Sequence, residues 1–161
     1  MGVLAAFLSA AACLPGAGTG AVAHTATPAA TAYLTGVAIT RPGCADRIVF
    51  RFERGTPSYT VRFSSAAAAQ IEDASGRYIP VAGHEFLVVR LRDTLTARSK
   101  GGKLTMTYTG PRRLAPGPAR HIREVVKTGD FEAVVTWAIG LDAKRPFRVR
   151  SSGSTLVVTI G

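Results

Sequence analysis

Three carboxylates in the last third of the chain have the residue type and spacing that acid–base catalysis could use. Asp130 and Glu132 are two positions apart, and Asp142 lies ten positions further along. General acid–base chemistry requires two such groups to converge on one cleft. Asp130 and Asp142 also follow glycines closely, and in turns Asp side chains accept hydrogen bonds from nearby backbone N–H groups. A small hydrolase is one hypothesis, and turn capping is its structural alternative.

Other catalytic and metal-binding patterns find little support in the sequence. It contains neither a G-x-S-x-G nucleophile motif nor an H-E-x-x-H zinc motif. His84 and Glu85 are adjacent, and His121 and Glu124 are three apart, so each pair would face opposite ways on a strand. The sequence therefore predicts no catalytic residue, no metal site and no cofactor. The leading interpretation is a protein that is not an enzyme.

Arginines at alternate positions are the more extensive chemical feature. On a strand, positions i and i+2 share a face, so Arg90 points with Arg92 and Arg148 with Arg150. If the fold joins such positions, the basic surface attracts polyanions in a salt-dependent way. The alternative is that these arginines only keep the wet faces soluble and guard sheet edges. The candidate polymer-binding residues are Arg51, Arg62, Arg90, Arg92, Tyr108, Arg112, Arg113, Arg148 and Arg150.

The charge distribution divides the chain into a leader and a basic domain. The first 40 residues contain no Asp, Glu, Lys or Arg, whereas the whole chain carries a net charge of +10. Residues 1–12 are apolar and too short to span a bilayer, but they have the length of a signal-peptide core. Ala21-Val22-Ala23 fits a signal-peptidase site. We therefore expect a signal peptide at 1–23, an Ala/Thr/Pro linker at 24–32 and an extracytoplasmic domain at 33–161, secreted or held at the cell surface.

The two cysteines allow a second fate for the leader. Residues 8–13 loosely resemble a lipobox, so Cys13 is a candidate lipidation site, and this anchor is the only membrane association that the sequence predicts. Alternatively, Cys13 leaves with the signal peptide. Either way only Cys44 remains as a thiol, so we expect no intramolecular disulfide. Cys44 is then either a reactive thiol or an incidental loop residue.

Period-two alternation after residue 33 predicts the elements that position these residues. Runs such as Ile48, Phe50 and Phe52 alternate with polar residues and are separated by Gly/Pro turns. This pattern favours an all-β fold, a single β-sandwich of short antiparallel strands. One helical turn is expected at residues 66–69, a tight turn at residues 128–131 and a long excursion at residues 95–118. Trp137 is expected to anchor the core.

The order of motifs after residue 33 resembles the AMIN-like domain proteins, small secreted proteins and lipoproteins of the actinobacterial cell envelope. The residues that carry the resemblance are Leu34-Thr35-Gly36-Val37, Asp46-Arg47-Ile48-Val49-Phe50-Arg51-Phe52, Tyr59-Thr60-Val61, Ile79-Pro80-Val81-Ala82-Gly83, Phe86-Leu87-Val88-Val89, Tyr108-Thr109-Gly110-Pro111-Arg112-Arg113, Ile122-Arg123-Glu124-Val125-Val126, Gly129-Asp130-Phe131-Glu132, Trp137-Ala138-Ile139-Gly140-Leu141-Asp142 and Pro146-Phe147-Arg148-Val149.

The resemblance implies a non-catalytic envelope domain. The family is similar to the AMIN domain, a β-sandwich that directs amidases and secretion-channel proteins to the envelope, with peptidoglycan as the implied ligand. It defines no catalytic residues, so none are assigned here. Our leading hypothesis is an exported domain that binds peptidoglycan or an anionic wall polymer. The alternative is a protein-interaction module that docks an envelope enzyme, and the small hydrolase ranks third. Nucleic acid is not an expected partner, since basic and aromatic residues are not interleaved.

Overall fold

The chain is folded almost entirely from β-strands. A computed structural model describes residues 13–161. Strands account for 53% of the structure and helix for 3%. Two sheets pack face to face as one domain, so the predicted all-β sandwich is confirmed. The expected signal-peptide core at residues 1–12 lies outside the described residues. Within them, no helix is long and apolar enough to cross a bilayer.

The two sheets are antiparallel apart from one short parallel pair at an edge. Sheet A consists, in spatial order, of β12 (Phe147–Ser152), β13 (Thr155–Ile160), β3 (Asp46–Glu53), β2 (Ala32–Thr40) and β6 (Thr94–Leu95). Sheet B consists of β1 (Val22–His24), β4 (Tyr59–Ser64), β5 (Glu85–Arg92), β11 (Val134–Leu141), β10 (Ile122–Phe131) and β9 (Arg113–Leu114). A separate hairpin pairs β7 (Ala97–Lys100) with β8 (Lys103–Met106). The expected helical turn is α1 (Ala66–Ala69), capped by the Ser65 side chain.

The main core lies between the sheets and is built by the alternation seen in the sequence. Phe50 on β3 and Trp137 on β11 face each other across it, with ring centroids 6.1 Å apart in an edge-on arrangement. Tyr108 packs edge-on against the other side of Trp137 at 5.7 Å. Such aromatic pairs add to the free energy of apolar burial. The indole is fully buried, so the predicted anchoring role of Trp137 is confirmed.

A second, smaller core lies on the outer face of sheet B. The connection between β4 and β5 leaves the sheet edge and crosses this face, where Ile79 and Val81 bury against Phe86, Val126 and Ala138. Gly140 permits the close approach, because a Cβ at this position would lie only 2.8 Å from the carbonyl carbon of Ala82 and closer still to its oxygen. The crossover thereby removes much of sheet B's outer face from solvent.

One buried carboxylate joins the two sheets. Asp46 is fully buried at the start of β3 in sheet A. Its oxygens accept hydrogen bonds from the backbone N–H groups of Arg120, His121 and Ile122, at 2.6 to 3.0 Å, where the chain enters β10 in sheet B. Several backbone N–H donors together offset the cost of removing a carboxylate from water.

The prediction that the chain contains no intramolecular disulfide is wrong. Cys13 and Cys44 form a disulfide, so residues preceding the domain are joined covalently to the turn between β2 and β3. The segment between Cys13 and the domain is also ordered on its surface, because Val22–His24 form β1 at the edge of sheet B. The sequence argument did not include this bond, because both fates that it considered for Cys13 leave Cys44 without a partner.

The predicted turn at residues 128–131 is also displaced. Strand β10 continues through Gly129 to Phe131, with a register shift between Lys127 and Gly129. The reversal occurs at Glu132 and Ala133, which both have positive φ, 49° and 58°. Two consecutive residues with positive φ make the type of tight turn that matches the twist of a β-hairpin. Gly129 instead leaves room for the Asp73 side chain, which lies where a Cβ would otherwise be.

We expect Asp46→Asn to lower the free energy of unfolding by about 3 kcal/mol. The amide has one accepting oxygen instead of two, and its NH₂ group faces backbone N–H donors. Urea unfolding of the purified protein measures the change. Asp93→Asn, at an exposed position that also has positive φ, is the control and should change stability by less than about 0.5 kcal/mol. Equal losses in the two variants would contradict the bridging role of Asp46.

Gly140→Ala should destabilise the protein by about 2 kcal/mol or more, because the added methyl group overlaps the backbone at Ala82. The matched control is Gly36→Ala, also in a strand, where the nearest atom to an added Cβ is 4.0 Å away. Thermal unfolding of both variants should show a clearly lower Tm for Gly140→Ala alone. A small effect at both positions would mean that the backbone at Ala82 moves away from the added methyl group at little cost in stability.

Candidate functional site

The outer face of sheet A brings four arginines together. Arg148 and Arg150 on β12 point outward, as do Arg47 and Arg51 on β3. The strand register aligns Arg148 with Thr159 and Thr159 with Arg47, so the two guanidinium-bearing strands are separated by one strand. With about 4.8 Å between strands and about 6.8 Å between like-facing positions, these side chains share a patch roughly 15 Å across. We call Arg47, Arg51, Arg148 and Arg150 the basic face.

The charges of the basic face are not neutralised by neighbouring side chains. Within residues 13–161, none of the four arginines forms an ion pair. The nearest outward acid on β3 is Glu53, two positions beyond Arg51, and it is paired with Arg98. Uncompensated guanidinium groups on one face sum to a positive potential that extends over a Debye length. The face is therefore electrostatically suited to an anionic chain.

Apolar and hydroxyl groups lie between these arginines. Val49 and Val157 are directly cross-strand neighbours and only half-buried, and Thr155 and Thr159 flank them on β13. Valines give a flat, weakly hydrated floor, and threonines offer hydroxyl donors and acceptors. The valines could pack against the apolar C–H face of a sugar ring. The surrounding guanidinium groups could then bind phosphate or carboxylate oxygens.

Arg62, Arg90 and Arg92 lie on the other side of the molecule, on the outer face of sheet B. The register pairs Thr60 with Arg90 and Arg62 with Val88, which makes Arg62 and Arg90 diagonal neighbours. They line a cavity of about 220 Å³ beneath the crossover, together with the carboxylate of Asp73. The sequence-predicted arginines are therefore divided between two opposite faces. Arg62 and Arg90 share their cavity with the Asp73 carboxylate, whereas the arginines on the outer face of sheet A have no acid beside them on β3 closer than Glu53.

Tyr108, Arg112 and Arg113 have mainly structural contacts. Tyr108 is buried, its hydroxyl donates to the Pro111 carbonyl at 2.7 Å, and burial raises the pKa of its phenol. Arg112 binds Glu72 at 2.5 Å, and Arg113 binds Glu124 at 2.5 Å. These ion pairs attach the chain before β10 to the crossover and to β10 itself.

The three carboxylates of the hydrolase hypothesis do not converge. Asp130 accepts from Lys127 at 2.6 Å and from Thr96 at 2.7 Å, whereas Glu132 lies in the β10–β11 turn. Asp142 follows the opposite end of β11, where it binds His121 and Arg145. A cavity of about 490 Å³ is lined by Asp130 together with Glu72 and Asp73. Hydrogen bonds from Ser75 and Arg112 hold the pKa of Glu72 at about 2, so this group is a poor proton acceptor.

Metal ligands do not cluster in the part of the chain that the structure describes. No group of three or more His, Cys, Asp or Glu side chains there could hold an ion. His121 and Asp142 form a pair at 3.2 Å, with Arg145 as the third member. The guanidinium in that position favours a salt-bridge network over a cation site.

Sequence reasoning missed Arg47, which faces outward because its neighbour Asp46 faces inward. The alternation of β3 contains this signal. What it lacks is the strand order, which places β3 and β12 on either side of β13. Arg148 and Arg150 thus lie on the same face as Arg47 and Arg51 because of the strand order.

We expect part of the stability to be lost in acid through Asp142. Burial raises the pKa of this carboxyl, but hydrogen bonds from Arg145 and His121 outweigh it and lower the pKa to about 2. Because the folded-state pKa lies below the ordinary value, the stabilisation is complete above about pH 4 and disappears as the pH falls towards about 2. Urea unfolding should therefore show a stability gap between the native protein and Asp142→Asn that narrows from pH 5 to pH 2. A gap that is independent of pH would contradict the assignment.

Comparison with known proteins gives one family. The model of the AMIN-like domain family matches residues 32–160, which run from the first residue of β2 to the last residue of β13. A search of curated proteins and a search of solved structures each found no match.

Proposed function

The chain belongs to the AMIN-like domain family, and from this premise we propose that it is an exported, non-catalytic module that binds an anionic polymer of the cell wall. The family indicates an envelope-associated binding module, and AMIN-like domains are typically extracytoplasmic. The proposal adds the chemistry of the ligand and the surface that binds it. Peptidoglycan itself, through its peptide carboxylates, is the other polymer of this class.

The observation that carries the proposal is the basic face. Arg47, Arg51, Arg148 and Arg150 converge there without an acidic partner, although acids neutralise arginines elsewhere on the molecule. A guanidinium group binds phosphate or carboxylate through two parallel hydrogen bonds, which a lysine does not. Because the strands are rigid, the four groups are held at fixed spacing, and a polymer with regularly spaced anions can bind several at once.

A second candidate function is docking on an envelope protein. At one end of the sandwich, Phe131, Met106 and Leu104 expose 52%, 51% and 68% of their surfaces. Phe131 and Met106 both border the 490 Å³ cavity that also contains Asp130. Exposed apolar side chains grouped beside a cavity commonly mark an interaction site. This candidate predicts binding to a specific protein with little sensitivity to salt.

The sharpest test neutralises the two arginine groups separately. Arg51→Gln/Arg150→Gln removes two exposed charges from sheet A, and Arg62→Gln/Arg90→Gln removes two from sheet B, so both variants have the same net charge. We expect the first to weaken co-sedimentation with cell-wall sacculi about tenfold, equivalent to about 1.4 kcal/mol, and the second to weaken it by less than about threefold. Equal losses would indicate a general charge effect and would contradict a role for the basic face.

A salt series and polymer stripping identify the ligand. Binding through the basic face should fall steeply between about 0.05 M and about 0.5 M salt, because the Debye length shortens several-fold. Loss of binding after anionic polymers are stripped from the sacculi assigns the ligand to those polymers, and binding that persists assigns it to peptidoglycan. No binding in any condition would overturn the proposal and favour protein docking, for which Phe131→Ser is the diagnostic variant.

A further inference from the structure

We propose that residues 13–24 remain in the exported protein as a clasp that is locked to the sandwich by the Cys13–Cys44 disulfide. This inference does not depend on the ligand. It opposes the expected cleavage before His24, which would remove most of the contacts described next, and the expected lipid on Cys13, which would prevent the disulfide. The clasp is defined as residues 13–24 throughout.

The clasp completes one edge of sheet B. Its last three residues form β1, antiparallel to β4, with Val22 aligned to Val61 and His24 aligned to Tyr59. Val22 packs against the main core, and the rings of His24 and Tyr59 lie 5.3 Å apart. Cleavage before His24 would remove two of the three strand residues, including the one that contacts the core.

The clasp also covers one edge of sheet A. The backbone N–H of Phe147 donates to the Gly18 carbonyl at 2.8 Å, and the guanidinium of Arg148 donates to the Pro15 carbonyl. Leu14 is buried, with 8% of its surface exposed. These residues thus make backbone hydrogen bonds to both sheets, which the domain would lose if they were cleaved off. Unpaired edge strands can pair with the strands of other molecules. The clasp prevents this at β4 and β12 by covering their free edges.

The disulfide fixes the far end of the clasp. Cys44 lies in the turn between β2 and β3, two residues before the buried Asp46, so the bond attaches the clasp to a rigid part of the fold. The two thiols lose two protons and two electrons as the S–S bond forms. A disulfide-bearing oxidant of the extracytoplasmic space accepts the electrons and becomes a dithiol. A thioether to lipid at Cys13 would occupy the same sulfur, so lipidation and the disulfide exclude each other.

The first test is the intact mass of the protein recovered from the medium and the envelope of a bacterium that exports it. The proposal predicts a chain that includes residues 13–24, lacks the mass of two hydrogen atoms, and reacts with a thiol-alkylating reagent only after reduction. A mature start at His24, a diacylglyceryl group on Cys13, or two thiols that react without reduction would each overturn it.

Peptide mapping needs one precaution. The chain has no Lys or Arg before Arg41, and the bond from Arg41 to Pro42 resists trypsin. Trypsin therefore leaves both cysteines on one peptide that ends at Arg47. The disulfide shows there as a loss of two hydrogens within a single peptide, and not as a cross-link between two.

A second measurement tests whether the clasp stabilises the fold. Cys13→Ser and Cys44→Ser should each lower the Tm by about 10 °C, and the double variant should lower it no further. Gly20→Ala, where an added Cβ meets no atom within 4 Å, is the control within the clasp and should leave the Tm unchanged. If Cys13→Ser has no effect, the clasp is not part of the folded protein. Should a variant fail to accumulate, reduction of the native protein gives the same comparison. Neither measurement uses wall binding, so the proposed function can fail independently.

Discussion

The fold depends on a carboxylate that links its two sheets. Asp46 is the only ionisable side chain among residues 13–161 that is fully buried, and it accepts from three successive backbone N–H groups at the start of β10. This contact sets where sheet A lies relative to sheet B. It also sets the facing of β3, because an inward Asp46 makes Arg47 point outward. Cys44, to which the clasp is bonded, lies two residues before Asp46 in the same region.

The charged residues divide into those that hold the structure and those that remain available. Glu72, Glu124, Asp130 and Asp142 are each engaged with a cationic side chain. Arg112 and Arg113, which the sequence offered as ligand contacts, belong to this group because they attach the crossover to the sheet. The arginines of the basic face have no acidic partner within residues 13–161, and only Arg148 among them also donates to the clasp, at the Pro15 carbonyl. The chain carries ten more basic than acidic residues, and the structure places part of that excess on one flat surface.

The fold class was predictable because alternation reports which side chains face inward. Phe50, Trp137 and their neighbours are buried where the pattern requires it. Strand order was not predictable, since alternation says nothing about which strands are neighbours. For this reason Arg90 and Arg148 looked equivalent in sequence but lie on opposite faces. The misplaced turn has a local cause: Gly129 was interpreted as a turn glycine, whereas it makes space for Asp73 inside a strand.

The contacts of residues 13–24 could not be predicted from the sequence, because a charge-free Ala/Gly-rich segment has the composition of a signal peptide whatever it contacts. Its attachment in the structure has one more consequence. Residues 25–31, which form no strand or helix, connect the clasp to β2, and the edges of β4 and β12 that the clasp covers are identical in every molecule. Two unoxidised molecules at high concentration could therefore exchange clasps and keep the same strand pairing, as in domain swapping. Oxidation would then join Cys13 of one chain to Cys44 of the other and produce a covalent dimer with each fold intact.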